Sequence, residues 1–256
     1  MLNIDGGCAT STQQAKSCHD IDLLRYWMGS PCLKVSSFGS LNHFRPDKKP
    51  AGGALRCMDC PAAVENSCPY SAKKIYLESV AAGVVTWPNS VVTEVPDIES
   101  ITTALKDGPY GRCAYECDND VVDNQVVNME FEGGKTASFS MIAFTEKLCV
   151  RQTTVFGTKG QLTCNDSQFI AQFDFLQKTT TTHDCAQVAT EGQQYGMGGH
   201  GGADYHLMNN WVTAVATEDW SKVGTTADDA LASHLLVFAA EDARKGGTVI
   251  NLDGDF

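Results

Sequence analysis

The residues from Asp120 to Phe144 constrain the fold more than any other stretch of this chain. Val121, Asp123, Gln125, Val127, Met129 and Phe131 recur at every second position. Ala137, Phe139, Met141 and Ala143 then do the same, with Gly133-Gly134 between the two runs. A period of two puts each set on one face of a strand, and paired glycines supply the positive φ of a tight hairpin turn. The spacing predicts an antiparallel hairpin. Apolar residues also occur in the other set, as at Val122 and Val126, which is the pattern of a sheet covered on both faces. Val150–Phe156 and Gln161–Thr163, turned by Gly157-Thr-Lys-Gly160, predict a second hairpin with Phe169–Phe175 pairing next. The polar stretch Thr179–Gln194, with its threonine run, reads as an exposed, mobile loop.

Helical periods flank these strands. Ser17–Met28 has a capping serine, acidic residues at its positive end, and Ile21, Leu24 and Met28 on one face. Asp204–Ala214 aligns Leu207, Trp211 and Val215, and Asp228–Arg244 aligns Leu231, Leu235, Phe238 and Asp242. A strand is predicted over Leu33–Leu41, a helix from Pro69 to Leu77, a weak helix near Ile98–Leu105 and a last strand over Val249–Leu252. Residues 42–68 form a long Pro/Gly/Cys loop. Strands gathered in runs rather than alternating with helices indicate an α+β fold: a mostly antiparallel mixed sheet with helices packed on one face. Residues 1–15 are polar and aperiodic and read as an arm, leaving 16–256 as the folded domain.

Charge and hydropathy narrow the function classes. The 19 Lys and Arg against 31 Asp and Glu give a net charge of −12, a field that repels phosphate backbones, so nucleic acid is not an expected partner. No apolar run approaches the roughly 20 residues of a membrane helix, and the first residues lack a basic start and an apolar core. A cytoplasmic chain is expected. Its 11 cysteines are then mostly thiols, not a disulfide framework.

One compact set stands apart. Cys57, Cys60 and Cys68 lie in a loop with little core, at a spacing that suits tetrahedral zinc, with His43 or Cys113 as a possible fourth ligand brought in by folding. The alternatives are a disulfide among the three or buried thiols. A Gly-x-Gly-x-x-Gly string runs from Gly196 to Gly201, but a polar loop precedes it instead of an apolar strand, so it does not read as a dinucleotide fingerprint.

Two histidine segments carry the chemistry. The first is Lys16-Ser-Cys-His19-Asp-Ile-Asp-Leu-Leu and the second is Gly198-Gly-His200-Gly-Gly-Ala-Asp204-Tyr. Together with the segments at 118–125, 155–160 and 238–244, they resemble the C-terminal domain of the Gfo/Idh/MocA oxidoreductase family. The resemblance runs from about Ala15 to the C-terminus. It implies full-length relatives with an N-terminal Rossmann domain that binds NAD or NADP, and a sheet domain that supplies substrate contacts and oligomerises. It further implies a sugar or cyclitol substrate.

The family's Glu-Lys-Pro motif has no counterpart: the only Glu-Lys pair, Glu146-Lys147, is followed by Leu148. The resemblance assigns His19 to proton transfer at the substrate carbinol, a task that suits imidazole near neutral pH. Lys16 shares its face if the segment is helical there, whereas Ala15 stands where the family often has Asp. It implies that His200 and Asp204 face the substrate. Asp123 and Gln125, two apart on one strand face, are candidate hydroxyl binders or solvated groups.

The expectations are therefore a substrate-binding and oligomerisation domain that binds no dinucleotide by itself, with His19 and His200 in one open cleft and free of strong partners. The alternatives are a non-catalytic module that pairs with full-length relatives and a fragment of an NAD-dependent glycosidase-type relative.

Overall fold

The computed structural model describes residues 18–118, 120–146, 150–165, 168–186, 190–196 and 199–252. The chain divides into two compact units. The first takes the residues up to Phe144 and those from Asp228 onward, and the second takes Thr145–Ala227.

The first unit is built on the predicted hairpin. Strands β2 (Asn124–Phe131) and β3 (Lys135–Ile142) pair antiparallel, Phe131 opposite Lys135 and Asn124 opposite Ile142. Gly133 and Gly134 turn the chain at φ 79° and 76°, values open to glycine without strain. Strand β1 (Cys32–Ser40) pairs with β2, and the short β8 (Ile250–Asn251) with β1, giving the order β3-β2-β1-β8.

Helices α1 (Cys18–Met28) and α6 (Ala227–Gly246) contribute Ile21, Leu236, Val237 and Ala240 to one core with Val35, Val127, Met129 and Phe131 of the sheet. The Arg25 guanidinium meets Asp229 at 3.1 Å, and Ser233 Oγ donates to Asp22 at 2.5 Å, so the two helices are also joined by polar contacts.

Between β1 and β2 lies a region of short helices. Helix α2 (Ala62–Ser67) is followed by a π-helical turn at Lys73–Leu77 that runs into α3 (Glu78–Ala81), and then by α4 (Ile98–Asp107). Asp97 caps α4 by accepting from Ser100 N at 2.7 Å. Tyr76, Val80, Ile101 and Leu105 close a second, smaller core.

The second unit holds an antiparallel sheet in the order β4-β5-β6-β7: β4 (Thr153–Phe156), β5 (Gly160–Cys164), β6 (Phe169–Asp174) and β7 (Thr180–Asp184). It also holds helix α5 (Ala203–Thr217).

The α+β class is as expected, with three corrections. The strands form two four-stranded antiparallel sheets, not one mixed sheet. The threonine run is strand β7, paired with β6 from Phe169–Asp184 to Phe173–Thr180. Threonine is β-branched and suits an extended chain, but every residue of β7 is exposed, so no apolar alternation marks it. The two long helices also bury faces other than the predicted ones. In α6 the packed residues are Ala232, Leu236, Val237, Ala240 and Ala243, while Leu231, Leu235 and Phe238 stay in contact with solvent. In α5 only Ala214 is buried, and Leu207 is 68% exposed.

Candidate functional site

In the second unit, chain geometry places one imidazole with care. Helix α5 starts after a glycine-rich turn in which Gly201 and Gly202 have φ 64° and 86°. His200 itself stands at φ 50°, ψ 38°, a left-handed conformation that a side-chain-bearing residue adopts only at some cost. From there His200 Nδ1 reaches the Asp204 carboxylate, 2.9 Å from Oδ1 and 3.1 Å from Oδ2. An ionised carboxylate only accepts, so Nδ1–H donates and the lone pair rests on Nε2. The His200 side chain is 84% exposed. The result is an imidazole aimed from one side and open on the other, with Asp204 in the first turn of α5, where the helix dipole favours negative charge. The expectation that His200 lacks a strong partner is corrected by this pair.

Polar groups continue around the same helix start. His206 Nε2 lies 3.2 Å from Glu191 Oε2, and the Tyr195 and Tyr205 rings stack at 5.9 Å with an interplanar angle of 11°. Thr190, Glu191, Gln193 and Gln194 line an open cavity beside Tyr205. Gly192 allows this close approach: at φ 84°, a Cβ there would stand 2.3 Å from Tyr205 Cβ. Glu191, Tyr205 and His206 were not singled out by the sequence: Glu191 lies in the polar stretch Thr179–Gln194, and Tyr205 and His206 lie off the apolar stripe read from Leu207 to Val215.

In the first unit, His19 is the second residue of α1 and is exposed. Lys16, paired with it in the sequence reading, lies outside the described residues. His19 and His200 belong to different units.

Asp123 and Gln125 share a strand face as predicted, but it is the inward one, and each is 1% exposed. Asp123 Oδ2 accepts from the backbone N–H groups of Asn42 (2.9 Å), His43 (2.6 Å) and Phe44 (3.4 Å), and Oδ1 from Asn124 Nδ2 at 2.8 Å. Burial alone would raise this carboxyl, but the loop amides outweigh it and hold it below the usual carboxylate range. Gln125 Nε2 donates to Ser37 Oγ at 2.9 Å. Neither side chain is presented to a sugar: Asp123 fastens the 42–44 loop to the sheet and Gln125 joins two strands. Beyond that loop, His43 sits among the rings of Phe44, Tyr70, Tyr115 and Phe144, with its Nε2 3.1 Å from Tyr115 Oη. Burial pushes the Tyr115 hydroxyl up to about 12.

Cys57, Cys60 and Cys68 are free thiols. Among the described residues no group of three or more His, Cys, Asp or Glu side chains is set to hold a metal ion, so the expected zinc centre is not preformed. His43, one candidate fourth ligand, is instead engaged by Tyr115. No described helix is long and apolar enough to cross a membrane.

Every strand pair in both sheets is antiparallel, and the glycine-rich string lies between a 3-10 turn at Gln193–Tyr195 and α5, with no strand leading into it. The strand–glycine-loop–helix unit of a parallel βαβ fold is absent among them.

The family model described as "Oxidoreductase family, C-terminal alpha/beta domain" matches residues 6–252, and the chain belongs to that family, Gfo/Idh/MocA. Over 202 residues, 76% of this chain and 45% of the relative, it is 26% identical to YteT of Bacillus subtilis (strain 168), a protein named as an oxidoreductase. Its fold is similar to an oxidoreductase from Agrobacterium radiobacter solved with NAD+, L-tartaric acid and magnesium (TM-score 0.52, 10% identity, 92% of this chain and 47% of that one). It is also similar to an oxidoreductase domain protein from Kribbella flavida (TM-score 0.51, 17% identity, 95% and 51%). The chain thus spans about half the length of the relatives it matches.

Proposed function

We propose that this chain acts as the substrate-binding and proton-accepting domain of an NAD(P)-dependent oxidoreductase that works on a sugar, cyclitol or related polyol. The observation that carries the reading is the His200–Asp204 pair, strained into place at φ 50° with Nε2 left open. Asp204 fixes the ring and its tautomer. Nε2 accepts the proton of a substrate hydroxyl, and the carboxamide and hydroxyl side chains at Thr190, Gln193 and Gln194 offer donors and acceptors to neighbouring hydroxyls. His19, with Lys16 near it in sequence, is proposed as a second proton-handling group. We infer that the hydride acceptor is bound by a dinucleotide domain outside these residues and that turnover needs both. The same base would serve a relative that cleaves glycosides through transient oxidation.

Association is part of the proposal. The outer face of the first sheet exposes Phe38 and Ile142, and α5 exposes Leu207, Trp211 and Val215, surfaces that suit pairing with a second copy or with a full-length relative. Light scattering should report a species larger than 27.6 kDa.

The test is to join the Rossmann domain of a relative in front of residue 15 and follow NAD(P)+ reduction with a panel of polyols. The fusion should turn over where the chain alone does not. His200→Ala and His19→Ala should each slow it by roughly 10²–10⁴-fold, as loss of a general base does. Micromolar NAD+ binding by the chain alone, or a His200→Ala fusion at full rate, would overturn the reading.

A further inference from the structure

The loop region of the first unit contains a feature that substrate binding does not use. Four thiols, those of Cys57, Cys60, Cys68 and Cys113, line a single cavity. They arrive by separate local devices. Cys57–Asp59 is a 3-10 turn in which Cys60 N donates to Cys57 O at 3.3 Å, so one tight turn carries both thiols of the Cys-x-x-Cys pair. Cys68 ends α2, its N–H donating to Glu65 O at 3.1 Å. Cys113 comes from beyond α4. An isolated antiparallel bridge joins Arg56 to Arg112, and Cys113 N donates to Leu55 O at 2.8 Å, so the chain is stitched with Cys57 and Cys113 on either side of the bridge.

The surroundings ask for something more than thiols. Neither the 3-10 turn nor α2 buries a single residue, so this stretch has little apolar packing of its own to define it. Two cations border the cavity, Lys49 and Arg56. Lys49 is paired with Glu116 at 2.5 Å. Arg56 spends one terminal nitrogen on the carbonyls of Leu105 (3.0 Å) and Gly108, yet its Nε is buried with no hydrogen-bond partner among the described residues. A buried charged donor without an acceptor is costly and calls for a negative group nearby. Glu65, the one carboxylate on the wall, is already taken by Ser71 Oγ at 2.7 Å and by Lys73.

We propose that Cys57, Cys60, Cys68 and Cys113 bind one structural zinc ion as a tetrathiolate that closes when the metal enters. Four thiolates around a divalent ion would leave two negative charges in a cavity that Arg56 and Lys49 also line. Tetrahedral sulfur donors at a Cys-x-x-Cys spacing suit zinc, and closure draws each sulfur to about 2.3 Å from the ion. A centre of this kind binds and folds together, which accounts for thiols that share a cavity without standing in a finished shell. The site ties the 54–77 stretch to the 112–113 strand and has no part in proton transfer.

The experiment uses the full chain purified under reducing conditions. Elemental analysis should find about one zinc per chain, and Co2+ replacement should give the absorption of a tetrahedral thiolate complex. Cys60→Ser and Cys113→Ser should lower metal content at least about tenfold, while Cys117→Ser, whose thiol is not on the cavity wall, should retain it. Chelation should speed amide exchange over 54–77 and leave β2 and β3 protected. If the serine variants fail to fold, Co2+ titration of the wild-type chain decides alone. A wild-type chain that takes up neither zinc nor Co2+ overturns the proposal. So do disulfides among these four residues under reducing conditions, or equal metal loss in Cys117→Ser.

Discussion

Asp123→Ala should be among the most damaging polar substitutions in the first unit, and its size can be worked from contacts. The carboxylate accepts two short loop N–H bonds, from Asn42 at 2.9 Å and His43 at 2.6 Å, and a longer one from Phe44 at 3.4 Å. Hydrogen bonds to a charged partner contribute about 1.5–3 kcal/mol each, with the 3.4 Å contact near zero. Asn42 is exposed, so its freed N–H regains water, whereas His43 and Phe44 lie deeper. The net loss is about 2–4 kcal/mol, or a melting shift of the order of 4–16 °C at about 2–4 °C per kcal/mol. Asp123→Asn keeps an acceptor but not the charge and should lose about half as much.

Because the folded carboxyl titrates lower than an unfolded one, its contribution is fully present above about pH 4 and disappears as the pH falls through the folded value. The wild type should therefore lose stability toward acid more steeply than Asp123→Asn. Urea unfolding at several pH values, with amide exchange at residues 42–44, measures both effects. If Asp123→Ala stays within about 0.5 kcal/mol of wild type with those amides still protected, the carboxylate does not anchor the loop.

Gly111→Ala should destabilise the first unit by more than about 3 kcal/mol in a thermal melt, because its Cβ would stand 1.6 Å from Leu105 O and force the end of α4 to move. A wild-type melt would mean that the turn after α4 is not held as described. Asp204→Asn should leave stability within about 0.5 kcal/mol of wild type, since the pair is exposed, yet should mix the His200 tautomers. Nitrogen-15 shifts that still show a single Nδ1–H form would remove the pair. In the polyol-oxidising fusion, Asp204→Asn should lower the rate less than His200→Ala does, as expected for a group that orients the base.

The hairpin at 124–142 was legible because its alternation, glycine turn and length agree with one another. The two long helices were legible in position but not in facing, whereas α1 packs the predicted Ile21, Leu24 and Met28 against the core. Periodicity in α6 offers two apolar stripes, and the bulky one, Leu231–Leu235–Phe238, is the natural choice for a core. The sheet instead takes the stripe of Leu236, Val237 and Ala240, and Ala232 and Ala243 are buried as well. Strand β7 was illegible because an edge strand wet on both faces shows no contrast between alternate positions.

The polar candidates divide along the same line. Asp123 and Gln125 stand on a face whose other members, Val127, Met129 and Phe131, already mark it as inward, so their spacing with those residues pointed to burial more strongly than to hydroxyl binding. His200 and Asp204 are four apart across the start of a helix, and that offset alone makes their side chains neighbours once the turn is formed. For the cysteine loop the sequence offered Cys113 only beside His43, and no spacing chose between them. Cys113 lies 45 positions beyond Cys68 in the numbering, and only the pairing of Arg56 with Arg112 carries it to the same cavity. A contact made by two irregular segments has no period and leaves no local trace. Whether the four sulfurs hold a metal is therefore a question that the fold raises, and metal content in Cys113→Ser against Cys117→Ser answers it.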